Sequence, residues 1–374
     1  MTKDDVARLG FDIDALALVG DLSIAKRQMV EIAKALARNA RIIVLDEPSA
    51  VLAQAEIDQL FRIITQLRKE GVSFVYISHR LREVFEIASN VTILRDGRVV
   101  RNALSSDLTT DGLISAMVGR DVGDVFPHRH ASPGPQTLVV QNLSAGFLKD
   151  AHLSFRRGEI VGLFGMAGAG RTELLRAIYG ADPRDGGKGE IEGRTHLGAS
   201  PRAGIAQGLG LLPEDRKTQG LFLNQSVGFN IMSASLGRIM RYGFLSPRSE
   251  RGIVRSLIDR FRIKTPNAAT PVQSLSGENQ QKCAIARLVS AGCRILLADE
   301  PTRGVDVGAK REIYDLLVEL SETRGLAVLL ASSELPEILG LCDRVYVMRE
   351  GRISAELNVK TTTEEEVMRF AALH

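Results

Sequence analysis

Two blocks of residues occur twice in this chain at a fixed separation, and that repeat constrains the fold more than any other feature. Leu22-Ser23-Ile24-Ala25-Lys26-Arg27-Gln28 returns as Leu275-Ser276-Gly277-Glu278-Asn279-Gln280-Gln281. Ile42-Ile43-Val44-Leu45-Asp46-Glu47-Pro48 returns as Ile295-Leu296-Leu297-Ala298-Asp299-Glu300-Pro301. Both second copies lie 253 residues downstream (275 − 22 and 299 − 46), and Ile77-Ser78-His79 returns as Ala331-Ser332-Ser333 after 254 (333 − 79). Stacked arrays repeat every ~20–50 residues, so this period means two related domains rather than a solenoid.

The bulk numbers agree with two soluble domains. A 374-residue chain with 44% apolar and 25% charged residues has the composition of a globular protein. The formal charge of +3 makes no demand for nucleic acid, although a mildly basic balance suits phosphate ligands. No apolar run approaches the ~18–20 residues of a membrane span, and the first residues lead into no signal-peptide core. Cys283, Cys293 and Cys342 are odd in number and lack paired spacing, so they read as reduced, packing cysteines of a cytosolic chain.

Residues 1–119 read as a first domain, 120–136 as a linker and 137–374 as a second domain. In the first, apolar residues at helical spacing predict helices over 28–38 and 57–67, with strands at 42–45 and 73–77. Val91–Leu94, Asp96-Gly97 and Val99-Val100 predict a hairpin. Three prolines and two glycines in 120–136 suggest a surface linker, which also explains His128 and His130 better than a metal site does. The second domain opens with alternating, antiparallel-type strands, carries a mostly helical insertion over 225–261, and closes with strands and helices in alternation and an amphipathic helix over 362–373.

Ile160–Phe164 is a buried-strand pattern that runs into Gly165-Met166-Ala167-Gly168-Ala169-Gly170-Arg171-Thr172. This is a phosphate loop with arginine where lysine belongs; glycines let backbone N–H groups converge on phosphate oxygens, and the following helix adds its positive end. By itself such a loop is matched by an ordinary glycine-rich turn. Thr172 can place a hydroxyl on Mg²⁺, as can the carboxylate of Asp299 at the end of its strand. Glu300 can polarise an attacking water, and Asp46 and Glu47 repeat that pair. Ser276, Gly277 and Glu278 start a helix able to receive a phosphate, whereas Ile24 after Ser23 brings a branched side chain to the same position. His79 ends a strand where it can reach a γ-phosphate; Ser333 in the other copy lacks the imidazole's reach and charge.

Phosphate loop, Leu-Ser-Gly signature, Asp-Glu-Pro and His/Ser switch, in this order, resemble the ATP-binding cassette family. Gly165–Thr172, Pro213–Leu221 and Asp299–Gly308 are similar to the second cassette of tandem ATPase subunits of bacterial sugar importers of the ribose, xylose, arabinose and galactose type. The resemblance implies an α/β P-loop NTPase. It would comprise one complete cassette, with a parallel core sheet, an antiparallel β subdomain and a helical subdomain, and the C-terminal part of another, whose own phosphate loop would precede residue 1. It implies ATP and Mg²⁺ as ligands, with Gly165, Gly168, Gly170, Arg171, Thr172, Glu214, Ser276, Gly277, Glu278 and Ser23 at nucleotide, Thr172, Asp299 and Asp46 at the metal, and Glu300, Glu47, His79 and Ser333 in catalysis. Glu214 takes the glutamine-loop position and Asp306 the D-loop position, with Ala53 as its first-copy counterpart. Partners would be integral-membrane sugar permease subunits and, indirectly, a periplasmic sugar-binding protein, which puts the chain at the cytoplasmic face of the membrane. Neither signature is intact, and arginine's planar fork does not reproduce a compact ammonium between phosphates. A non-hydrolysing nucleotide-binding scaffold is therefore the competing expectation. Phe147, just upstream of the phosphate loop, is a candidate to stack on adenine and equally a core residue.

Overall fold

The computed structural model describes residues 14–372, apart from 15, 37, 39, 50, 51, 53, 79, 80, 96, 97, 110, 111, 114, 115, 117–125, 131, 167, 197–199, 237–239, 242, 243 and 306. The chain divides into two compact units, Met1–Val122 and Gly123–His374.

In the first unit, helix α1 (Ile24–Leu36) precedes strand β1 (Ile42–Asp46), and helix α2 (Gln54–Lys69) precedes strand β2 (Ser73–Ile77). β1 and β2 pair in parallel, Ile42 opposite Ser73 and Asp46 opposite Ile77. Met29, Ile32 and Ala33 of α1 and Leu60 and Ile64 of α2 bury Ile43 and Leu45. Helix α3 (Leu81–Ile87) follows, then the antiparallel pair β3 (Asn90–Arg95) and β4 (Arg98–Leu104). The hairpin is as expected, while its Asp96-Gly97 turn lies outside the described residues.

Two larger sheets build the second unit among the described residues. Strands β5 (Gln136–Ala145), β6 (Leu148–Arg156), β8 (Gly186–Ile191) and β9 (Arg194–His196) form an antiparallel sheet in the order β6-β5-β8-β9. The central sheet runs β10-β13-β14-β7-β15-β16, built from β7 (Ile160–Gly165), β10 (Leu209–Leu212), β13 (Ile295–Asp299), β14 (Ala327–Ala331), β15 (Arg344–Arg349) and β16 (Arg352–Asn358). Its first five members are parallel; β16 is an antiparallel edge. Every residue of β7, β13 and β14 is buried, which is why these strands are unbroken aliphatic runs. One face packs on helix α4 (Arg171–Tyr179), through Leu174, Leu175 and Ile178. Helices α8 (Gly277–Ser290) and α9 (Val307–Arg324) cover the other face. Helices α5 (Pro201–Ala206), α6 (Val227–Met232), α7 (Pro247–Arg260), α10 (Leu335–Leu341) and α11 (Glu364–Ala372) complete the unit, with a two-residue ladder β11 (Met240–Arg241) and β12 (Phe244–Leu245) between α6 and α7.

The segment read as a linker is corrected in its second half. Phe126 stacks on Tyr314 with ring centroids 5.4 Å apart. Arg129 donates to the Gly158 carbonyl at 2.5 Å, to Ser321 Oγ at 3.0 Å and to the Asp343 carboxylate. A buried guanidinium with three acceptors is an anchor, so the second unit begins at Gly123 rather than residue 137. Among the described residues no group of histidine, cysteine and acidic side chains could hold a metal ion, and none of the helices is long and apolar enough to cross a membrane.

Candidate functional site

The turn between β7 and α4 is forced by glycine. Gly170 caps α4 at φ +104°, and a Cβ there would meet Leu148 Cδ2 at 3.0 Å. Gly168 is the opposite case: a Cβ would meet nothing within 4 Å, so open space lies above the loop. Gly351 bonds across to this turn, its N–H donating to the Ala169 carbonyl at 3.0 Å while its own carbonyl accepts from Lys149 at 2.9 Å. That carbonyl chain holds the β5–β6 hairpin tip, where Phe147 is exposed rather than in the core, beside the loop.

At the start of α4, Arg171 pairs with Glu300, Nη2 to Oε1 at 3.2 Å, both side chains largely buried. Its other terminal nitrogen, Nη1, is buried without a partner among the described residues. The Thr172 hydroxyl lies beside Asp299 and the Ser333 hydroxyl beside Glu300, each near enough to favour the ionised carboxylate. Burial raises both carboxyls; it pushes Glu300 up to about 7 against the lowering pull of Arg171 and Ser333. β7, β13, β14 and α4 thus bring Arg171, Thr172, Asp299, Glu300 and Ser333 together. An arginine fork with one idle nitrogen, an open glycine turn and a hydroxyl–carboxylate pair fit a phosphate group carrying a divalent cation.

Glu300 sits at φ +46° and Glu47 at φ +47°, in the region glycine favours. Each is held by its own N–H donating to the neighbouring strand, to Ala331 at 2.9 Å and to Ile77 at 3.0 Å. The repeat therefore extends to backbone conformation. His79 and Asp306 lie outside the described residues, as does the side chain of Ile24. Ser23 accepts from the Lys26 N–H at 3.3 Å and opens α1; Ser276 accepts from the Asn279 N–H at 3.4 Å and opens α8. The Glu278 carboxylate is committed to Lys282, a buried lysine that also binds Glu312. Glu214 pairs with Arg303 beyond β13.

Sequence reasoning missed a pair of buried carboxylates. Glu83 on α3 accepts from Ser49 at 2.7 Å and from Tyr76 and Ser78 at 2.9 Å. Its counterpart Glu337 on α10 accepts from Thr302 at 2.8 Å, while its second carboxylate oxygen is buried without a partner among the described residues. Glu83 ties the turn after Asp-Glu-Pro to the end of the next strand, and Glu337 holds the corresponding turn through Thr302. Their separation of 254 residues (337 − 83) equals that of the switch positions, which is the signal that could have found them.

A six-stranded, mainly parallel sheet with a phosphate-type turn at the end of β7 and acidic pairs at the end of β13 defines an ATP-binding cassette. The family model described as ABC transporter matches residues 148–303. The ribose import ATP-binding protein RbsA 1 of Rubrobacter xylanophilus is 48% identical over 371 residues, covering 99% of this chain and 74% of that protein. The arabinose import ATP-binding protein AraG of Ralstonia nicotianae is 47% identical over 378 residues, with 99% and 74% covered. This chain belongs to the ABC transporter family of ATP-binding proteins. Among solved structures, cbiO1 from Clostridium perfringens, part of the transporter complex cbiONQ, superposes with a TM-score of 0.53 at 26% identity over 63% of this chain and 94% of that one. The cassette MJ0796 in a post-hydrolysis state bound to ADP and Pi gives 0.52 at 20% identity over 60% and 100%, a likeness of fold.

Proposed function

We propose that this chain is an ATP-hydrolysing subunit that energises import of a monosaccharide through a membrane permease. The observation that carries the reading is the cluster of Arg171, Thr172, Asp299, Glu300 and Ser333 around an open glycine turn, in a chain 43–48% identical to sugar import ATP-binding proteins. Gly165, Gly168 and Gly170 with the start of α4 would hold the phosphates, and Arg171 would offer them its idle Nη1. Thr172 and Asp299 would hold Mg²⁺, which shields phosphate charge when bound. Glu300, with Ser333 orienting it, would take a proton from the attacking water. A raised carboxyl suits that task, because a base near neutrality both accepts and returns a proton. In the first unit, Asp46, Glu47 and His79 repeat these roles, and Ser276, Gly277, Glu278 and Ser23 at the two helix starts would contribute to nucleotide.

A groove of about 370 Å³ between the central sheet and the helical segment supports a membrane partner. Ile205, Phe222, Phe229 and Leu236 line it and are more than a third exposed. It would take an apolar helical segment, the chemistry expected of a permease loop. Placement would be peripheral, on the cytoplasmic face, with a periplasmic sugar-binding protein acting indirectly.

The Arg171–Glu300 pair favours a second reading, a site that binds nucleotide without turnover, since the arginine neutralises the base. Purified chain with fluorescent mant-ATP and Mg²⁺ separates the outcomes. Binding that weakens at least tenfold in Thr172→Ala supports the site, and turnover abolished by Glu300→Gln selects the hydrolytic reading. Absence of mant-ATP binding at millimolar concentration would sink both.

A further inference from the structure

Arg216 has no part in the site so far described, yet it is a buried guanidinium on a segment that is otherwise close to the surface. It opens the π-turn Arg216–Gly220, which follows Glu214 and is capped by Asp215, whose carboxylate accepts from the N–H groups of Lys217 at 2.9 Å and Thr218 at 3.4 Å and from the Thr218 hydroxyl at 2.7 Å. Among the described residues the guanidinium pairs with no carboxylate. Nη1 donates to the Arg303 carbonyl at 2.6 Å and Nη2 to the Gly304 carbonyl at 3.1 Å. Both acceptors belong to the turn that begins at Glu300. The same Nη2 lies over Gly277, the first residue of α8: a Cβ at Gly277 would stand 2.8 Å from it and 2.7 Å from the Gly304 carbonyl. Two successive carbonyls and a glycine therefore form a socket that only a planar fork fills. Arg303 returns the connection through its own side chain, paired with Glu214.

The segment so tethered leads to the apolar groove. Gly220 packs on Arg216, and two residues later Phe222 is held at both backbone groups by Asn230 of α6, at 2.8 and 3.0 Å. Its ring meets Phe229 at 5.6 Å on the groove wall. A π-turn is an uncommon conformation that concentrates at functional positions.

We propose that Arg216 is a positioning residue that couples the groove segment 213–222 to the turn after Glu300 and to the start of the Leu-Ser-Gly helix. A partner that moves the segment would shift both nucleotide-facing elements through one guanidinium. This deepens the proposed transport function and rests on it for the partner, but the coupling itself is a property of the chain alone.

The test is a double-substitution cycle on the full chain, read by amide exchange at residues 301–305 and 277–280. Asp215→Ala loosens the π-turn without touching the socket. It should speed exchange at 301–305 about tenfold, the equivalent of one or two lost hydrogen bonds. Arg216→Met should give a similar increase, and Asp215→Ala added to it should change nothing further. Arg216→Lys keeps the charge but cannot reach two carbonyls from one nitrogen, so it should remain uncoupled; it also serves if the methionine variant fails to fold. Exchange in β13 and β14 should stay unchanged throughout, because their ladder hydrogen bonds do not involve Arg216. Additive effects, no response at 301–305 to Asp215→Ala, or full coupling in Arg216→Lys would overturn the proposal. Loss of mant-ATP binding by the native chain, with the cycle intact, would instead remove the nucleotide reading and leave the coupling standing.

Discussion

The strand pairs that end in Asp-Glu have nearly the same sequence and opposite surroundings. In the second unit, β13 and β14 are buried at all five positions, with α4 on one face and α8 and α9 on the other. In the first, α1 and α2 cover Ile43 and Leu45, while Ile42 and Val44 on the opposite face are 66% and 62% exposed and Val75 and Ile77 are 50% and 46% exposed. An unbroken aliphatic run is what a strand covered on both faces requires. The first unit carries that run with one described cover, and each uncovered side chain forgoes about 1.5–3 kcal/mol of burial. A motif thus records the environment it was built for, which is not always the environment it occupies.

The largest test of this contrast is hydrogen exchange. Amides of β1 and β2 should exchange at least about a hundredfold faster than those of β13 and β14, because a one-sided sheet opens locally. Equal protection would break the comparison. Next comes a pair of core substitutions read by urea unfolding. Leu297→Ala, fully buried, should cost about 2–5 kcal/mol, whereas Val44→Ala should stay within about 0.5 kcal/mol. The carboxylate brackets should behave alike in both units. Glu337→Ala and Glu83→Ala each strand buried hydroxyls and should cost about 1–3 kcal/mol, and a much larger loss for one would show that the brackets are not equivalent. The remaining test is of pH. Glu300 has a folded-state value of about 7 against 4.5 unfolded, so the folded chain holds the extra proton between them. Its contribution to stability is present in full below pH 4.5, falls as pH rises to about 7, and is constant above it. Subtracting the Glu300→Gln unfolding profile should isolate this slope, and Arg171→Met should move its upper end higher.

How much of this was legible beforehand depended on the range of the interaction. The phosphate turn and the acidic pair were readable because each sits at a junction where the pattern changes from aliphatic strand to glycine or carboxylate. The parallel order of the central strands followed from strands separated by helices. The anchoring of Phe126 and Arg129 was not legible: the ion pair to Asp343 spans 214 residues, and a proline-rich stretch with two histidines has the composition of a linker. Glu83 and Glu337 were hidden among ordinary helical acids; only their spacing sets them apart. Arg216 stood inside a quoted motif without a role because its acceptors are main-chain carbonyls, which carry no sequence signature.

The left-handed conformation of Glu47 and Glu300 has a consequence for laboratory evolution. A non-glycine residue held there costs about 1–3 kcal/mol, so glycine at either position relaxes the backbone while deleting the carboxylate. Heat challenge applied to a random library would enrich such changes among the survivors. A screen for robustness alone would therefore collect hardened chains stripped of the proposed base, and only a second selection on turnover would tell them from true improvements.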